Sequence, residues 1–172
     1  MTLHHDSSAQ HRLWEMIRDI RFGMLTTRHT DGQLRSRPMT TQNRSIDEGA
    51  ILWFFVALDT EPAMDLKDDG AVNVSYADPH KDCYVSIAGY GRFVDDPARK
   101  QELWSKMNEA WFPQGPADPN LGLLAVHIDH AEYWDVTESK MTQLFKMAKA
   151  AATGQRPLDL GEHREVSARP HH

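Results

Sequence analysis

Arg35 and Arg37 stand two apart in the run R-S-R-P-M, so on a strand both project from one face, with Met39 next in that row. An arginine fork suits phosphate, because its planar donors reach two oxygens at once. The plain alternative is a solvated pair on a strand edge. Pro38, which separates the arginines from the polar run Thr40, Thr41 and Gln42, has no N–H to donate. A strand carrying it is interrupted or open on one side, and the neighbouring backbone groups are left for something other than a strand. A ligand is the natural candidate.

A second constellation follows at once. Phe54-Phe55-Val56 ends the most apolar segment of the chain and runs into Asp59-Thr60 at the head of a short helix. Such a junction holds an extended aromatic ligand well: backbone groups beside the strand meet a planar ring, and the helix start receives an anionic tail. The alternative is a core strand followed by a helix that Thr60 caps. Other chemistry fares worse. His127 and His130 are three apart on a strand and are expected on opposite faces, without a neighbouring Cys or carboxylate cluster, so no metal is expected. Cys83 has no nucleophile motif around it, and no nucleophile elbow exists for Ser-His-Asp chemistry. Trp111 and Phe112 in a proline-rich loop, and Tyr133 and Trp134 late in the chain, read as packing or interface aromatics.

The elements that must position these residues are legible from periodicity. Leu13, Trp14, Ile17 and Ile20 predict a helix near 8–20. Strands are expected over 21–28 and 33–43 around the Asp31-Gly32 turn, and the second is expected to form a hairpin with a third strand, 50–58, through Asp47-Glu48-Gly49. A short helix from Glu61 to Asp69 has Pro62 in its first turn; strands follow over 71–77 and 84–94, with Gly89 and Gly91 marking a bulge or a close backbone approach. A helix from Asp95 runs through Leu103, Trp104 and Met107; after the 111–120 loop come a strand over 121–136 and a helix over 139–152. Six strands with inserted helices predict a closed or partly closed antiparallel barrel of the α+β class.

Composition bounds the function. With 172 residues, 40% of them hydrophobic, the chain can bury one core, and the expected organisation is a single domain over 1–155 with a polar tail over 156–172. A net charge of −6 and a pI near 5.9 argue against nucleic acid as a partner. The lone Cys83, the absence of a signal-like N-terminus and the shortness of the longest apolar run, Ala50 to Leu58, point to a cytoplasmic protein with no membrane partner.

Several separated motifs, in order, resemble one family: R-S-R-P-M, L-W-F-F-V, V-N-V-S-Y-A-D-P, Y-V-S-I-A-G, W-F-P-Q-G-P-A-D-P-N-L, A-E-Y-W-D and K-M-A-K-A-A-A-T-G-Q-R-P. Over about residues 8–163 the chain resembles bacterial general stress proteins of the pyridoxamine 5′-phosphate oxidase-like, FMN-binding split-barrel superfamily. The resemblance implies a mainly β, six-stranded antiparallel split β-barrel with peripheral helices, and a homodimer with flavin sites at the interface. It implies that Arg37 meets the flavin phosphate, that Pro38, Met39, Thr40, Thr41 and Gln42 run along the isoalloxazine, that Phe55 and Val56 lie against it, and that Thr60 helps hold phosphate. Trp134 resembles a tryptophan near the ring system, and Trp111 and Phe112 a loop that closes the site from the partner subunit.

The chain departs from the pattern where Glu61 and Pro62 replace a basic residue and a lysine, so that Lys67 is left to compensate if the helix turns it inward. The altered end leaves room for the extra nucleotide of FAD. The oxidase's substrate motif near the C-terminus has no counterpart. The expected activity is a flavin-dependent oxidoreductase, with a non-enzymatic flavin-binding or redox-sensing module as the alternative and a haem or deazaflavin barrel after it.

Overall fold

The computed structural model describes residues 7–45, 50–136, 140–154 and 162–167. Leu13, Trp14, Met16 and Ile17 form the buried stripe of α1 (Ser7–Ile20), the face that a 3.6-residue period presents to a core. The helix is also fastened electrostatically: Arg12 Nε lies 2.6 Å from Asp135 Oδ2, and the Cys83 thiol donates to Asp135 Oδ1 at 3.3 Å. Burial and this carboxylate push the Cys83 thiol up to about 11, so it stays protonated.

The chain then turns at Arg21 into β1 (Phe22–Arg28) and, around Gly32 at φ +85°, into β2 (Leu34–Thr40). β3 (Ile51–Ala57), α2 (Glu61–Asp68), β4 (Ala71–Asp78), β5 (Cys83–Val94), α3 (Pro97–Leu103), β6 (Leu121–Asp135), α4 (Lys140–Thr153) and β7 (Glu162–Ser167) follow. The seven strands form one antiparallel sheet, in which β2-β1-β4-β5-β6-β3 make the split barrel of an α+β protein and β7 pairs with β6 off that path. Its interior is filled by Leu25, Leu52, Phe54, Val74, Ile87, Leu124 and Val126, all fully buried. No described helix is long and apolar enough to cross a membrane.

Four expectations are corrected. β2 and β3 do not pair as a hairpin; they are the two edges of the sheet, β2 bonded to β1 and β3 to β6. The reason is burial: β3 is apolar on both faces, so it needs cover on both, with Leu52, Phe54 and Val56 facing the barrel and Trp53 and Phe55 packed in a second cluster with Leu103, Phe112 and Leu123. The Asp47-Glu48-Gly49 turn lies outside the described residues. The helix from Asp95 stops at Leu103, because Trp104 turns extended and brings its ring to 5.9 Å from Phe55; a 3-10 turn, Lys106–Ala110, follows.

His127 and His130 are not on opposite faces. The register shift at Ala88/Gly89 makes Asp129 the extra residue of β6, so Ile128 and Ala131 both face inward and the two histidines both lie outside the core. Finally, residues 162–167, read as polar tail, form β7 against the second half of β6, whose first half holds β3. An edge strand with one partly buried apolar residue, Val166, carries almost no alternation to detect.

Candidate functional site

The two sheet edges face each other across a seam that is only partly closed. In an antiparallel ladder each residue directs both backbone groups to the same side, alternately. Thr41 N–H bonds Arg21 C=O, which continues the β1–β2 register and fixes Arg35, Arg37 and Met39 toward β1; Ser36, Pro38 and Thr40 therefore aim their backbone groups outward. Likewise Ile128 N–H bonds Ala50 C=O, so Leu52, Phe54 and Val56 bond β6 and Ile51, Trp53 and Phe55 aim into the seam.

One end of the seam is stitched. Gln42 N–H donates to Trp53 C=O at 2.8 Å, Trp53 N–H donates to Asn43 Oδ1 at 2.7 Å, and Asn43 Nδ2 donates to Ile51 C=O at 2.8 Å. Past Trp53 the stitching ends. The next rung is Phe55, which is buried, with N–H and C=O turned into the seam and no hydrogen-bond partner there among the described residues. Opposite stand Thr40 and Pro38. Buried backbone groups are nearly always paired, so this unpaired rung marks a place for donors and acceptors from elsewhere. Asn43→Ala is expected to cost about 1.5 kcal/mol in urea denaturation, since it strands two half-buried backbone groups of β3 at once.

Beyond the open rung lies a charged cluster at the start of α2. Arg35 and Arg37 do share a face. Arg35 Nη1 pairs with Glu61 Oε1 and its Nη2 lies 3.2 Å from Asp31 Oδ2. Arg37 Nη1 donates to Thr27 Oγ1 at 2.5 Å, and its Nη2 is 3.9 Å from the buried Asp65. His29 Nδ1 bridges Asp65 at 2.8 Å and Glu61 at 3.2 Å. Burial lowers the Arg37 guanidinium from its ordinary value while Asp65 and Glu61 oppose that shift. His29, Glu61 and Asp65 offer three ligand atoms within 4.8 Å of one another. Two arginines already take those carboxylates as counter-ions and repel a metal cation, so the cluster is a neutralised arginine pair.

The other candidates are distributed unevenly. Val56 faces the barrel core and Phe55 the outer cluster. Thr60 occupies the N-cap position of α2, but its hydroxyl donates to Ala57 C=O at 2.6 Å and makes no side-chain cap. Lys67 does not join the arginines: α2 turns Ala63, Asp65 and Leu66 inward, which leaves Lys67 exposed with Nζ 6.0 Å from the Phe93 ring. Thr41 and Gln42 line a cavity of about 360 Å³ beside the stitched end of the seam. Phe112 is buried against β3 of its own chain, whereas Trp111 is 81% exposed. Trp134 stacks on His163 at 5.0 Å. It lies eleven residues along β6 from Leu123, the partner of Phe55, on the order of 35 Å at the rise of a strand. Within one chain it does not reach the seam.

Sequence reasoning missed Thr27, His29 and Asp65. Asp65 alone had a signal, because it stands one helical turn after Glu61.

The split barrel is the architecture of a recognised class. Residues 8–159 match the family described as pyridoxamine 5'-phosphate oxidase like, and the chain belongs to that family. Among curated proteins it is similar to Protein bli-3 of Neurospora crassa, 28% identical over 159 residues that cover 86% of this chain and 74% of that one. Among solved structures, a Jannaschia sp. CCS1 protein of the general stress protein 26 kind superimposes with a TM-score of 0.71 at 28% identity, covering 94% of this chain and 99% of that one. A general stress FMN/FAD binding protein from Xanthomonas citri matches with a TM-score of 0.65 at 32% identity, over 77% of this chain and 92% of that one.

Proposed function

We propose that this chain is a flavin-binding protein of the general stress kind, with FMN held along the open seam and its phosphate directed to the arginines at the start of α2. One observation carries the reading: Phe55, buried on β3 just past the last stitched rung, presents an N–H and a C=O across from Thr40 and Pro38, as the polar edge of a planar ring requires. The family membership and the 32% identical FMN/FAD binding relative support it. Thr40 and Phe55 would bond the ring edge, Gln42 and Asn43 would hold the seam at the ring's end, and Arg37 would meet the phosphate. A bound flavin supplies hydride and one-electron chemistry. This chain's part is to orient the ring and exclude water from one side of it.

A homodimer with the sites at its interface is part of the proposal. One chain leaves the seam open to solvent, and the exposed Trp111, with Phe22 and Met24 on the outer face of β1, is the kind of surface that an interface covers. In that arrangement the partner subunit, not the same chain, brings Trp111 and Trp134 toward the ring. The cytoplasm is the proposed compartment. FMN fits the seam and the arginine cluster with the fewest added groups, and FAD is accommodated if its second nucleotide runs out past Pro62. A non-enzymatic flavin module is the second reading, favoured by the seam's own residues: Pro38, Thr40, Gln42, Asn43 and Phe55 include no general acid or base. Turnover with NADPH and an electron acceptor separates the two.

Titration against tryptophan fluorescence tests the reading. FMN is expected to saturate at micromolar concentration or below, and pyridoxal phosphate to give no saturable response. Saturable pyridoxal phosphate binding with no FMN response would overturn it, and a flavin-loaded monomer in light scattering at tens of micromolar would overturn the interface placement.

A further inference from the structure

The cavity of about 360 Å³ lies between α1, the 41–44 segment and the end of α3, and Arg18, Arg21 and Arg44 stand in its wall. Its volume is in the range of small-molecule sites. Its floor is apolar and buried, made by Trp14, Ile17 and Leu103. No carboxylate lines it. Three cations around one cavity are out of character for a chain of net charge −6, and a concave wall of one sign concentrates the field inside.

The arginines are poorly neutralised. Among the described residues Arg21 has no ion pair or side-chain hydrogen bond, Arg44 has a single contact of 3.4 Å to the Trp104 carbonyl, and Arg18 pairs only with the exposed Asp19 beside it. Arg21 is also costly where it stands. It follows the last residue of α1 at φ +65°, the left-handed position that favours glycine, and its backbone is held there by bonds to Ile17 C=O and from Thr41 N–H. A glycine would meet every backbone requirement, so the guanidinium is what the arginine adds.

From the arginine wall and the apolar floor, we infer that this cavity binds a small organic acid: a carboxylate or phosphate carried on an aromatic or short aliphatic body. The anion meets Arg21 and Arg44, and the body lies on Trp14 and Leu103. Thr41 and Gln42 continue directly from Thr40, so the site borders the open seam without overlapping the Arg37 cluster.

Benzoate, with neutral benzamide as the isosteric control, is the probe, measured by calorimetry on the full chain as isolated. Benzoate is expected to bind at millimolar concentration or below and at least tenfold more tightly than benzamide. Arg21→Gln and Arg44→Gln should each weaken benzoate at least fivefold while leaving the melting temperature and FMN affinity unchanged. Equal binding of benzoate and benzamide, unchanged benzoate affinity in both variants, or inorganic phosphate binding where benzoate does not would each overturn the inference. So would a change of oligomeric state in the variants, which would assign the arginines to a protein contact. Because FMN is scored separately, failure here leaves the seam reading intact, and failure of FMN binding leaves this site standing.

Discussion

Glu61→Arg combined with Pro62→Lys is expected to tighten FMN roughly tenfold or more, about 1.4 kcal/mol, with riboflavin unchanged. Glu61 Oε1 pairs with Arg35 and lies 3.2 Å from His29 Nδ1, so the helix start where a phosphate is proposed already holds an anion of its own. An incoming phosphate must displace that carboxylate or share its cations, and Pro62 offers neither an N–H nor a charge. Exchanging both residues removes the competitor, frees Arg35 and adds two cations. Glu61→Gln alone should recover part of the gain. The lost pair costs the fold little, since Glu61 is half exposed and surface pairs contribute about 1 kcal/mol or less. The gain should shrink as salt rises. Equal gains for riboflavin and FMN, or none for FMN, would place the phosphate elsewhere.

Gly89→Ala is expected to destabilise the fold by about 3 kcal/mol, an overpacking cost at the upper end of the usual range. A Cβ at Gly89 would stand 2.3 Å from the His127 carbonyl oxygen, a backbone atom that cannot rotate away. The bulge at Ala88/Gly89 would have to open, and with it the register that sets β6 against both β5 and β3. Gly91→Ala is the control: its nearest neighbours, at 3.1 and 3.2 Å, are the methyl ends of Leu66 and Leu124, which can turn aside. Urea denaturation should show a much lower midpoint for Gly89→Ala, a smaller decrease for Gly91→Ala, and an unchanged slope in both. Equal losses would mean that the bulge is not the constraint.

What the sequence revealed and what it hid follow from the range of the interactions. The helix of Leu13, Trp14 and Ile17, the Asp31-Gly32 turn and the shared face of Arg35 and Arg37 are local consequences of 3.6- and 2-residue periods, and all were legible. Pro38 correctly marked a strand open on one side. The pairing of β3 was not legible. Proximity in sequence favoured β2, while burial of both faces of Trp53 to Val56 required β6, some seventy residues later. Register across a bulge was also hidden, because one extra residue at Asp129 reverses the faces of everything beyond it. At the candidate site, the arginines were visible as a spacing, but their neutralisation by Glu61 and Asp65 depends on how α2 docks on β1. The cavity arginines, Arg18, Arg21 and Arg44, have no common period, since a helix, a turn and a loop supply one each.

The claim that flavin lies along the open seam is tested most directly by following the backbone amides of ¹⁵N-labelled protein as FMN is added. The Thr40 and Phe55 amides are expected to shift strongly and to become protected from exchange, with the Arg37 side chain shifting when FMN but not riboflavin is used. FMN binding that leaves Thr40 and Phe55 unmoved, with the shifts gathered around α4 and β7 or around the α1 cavity, would contradict it.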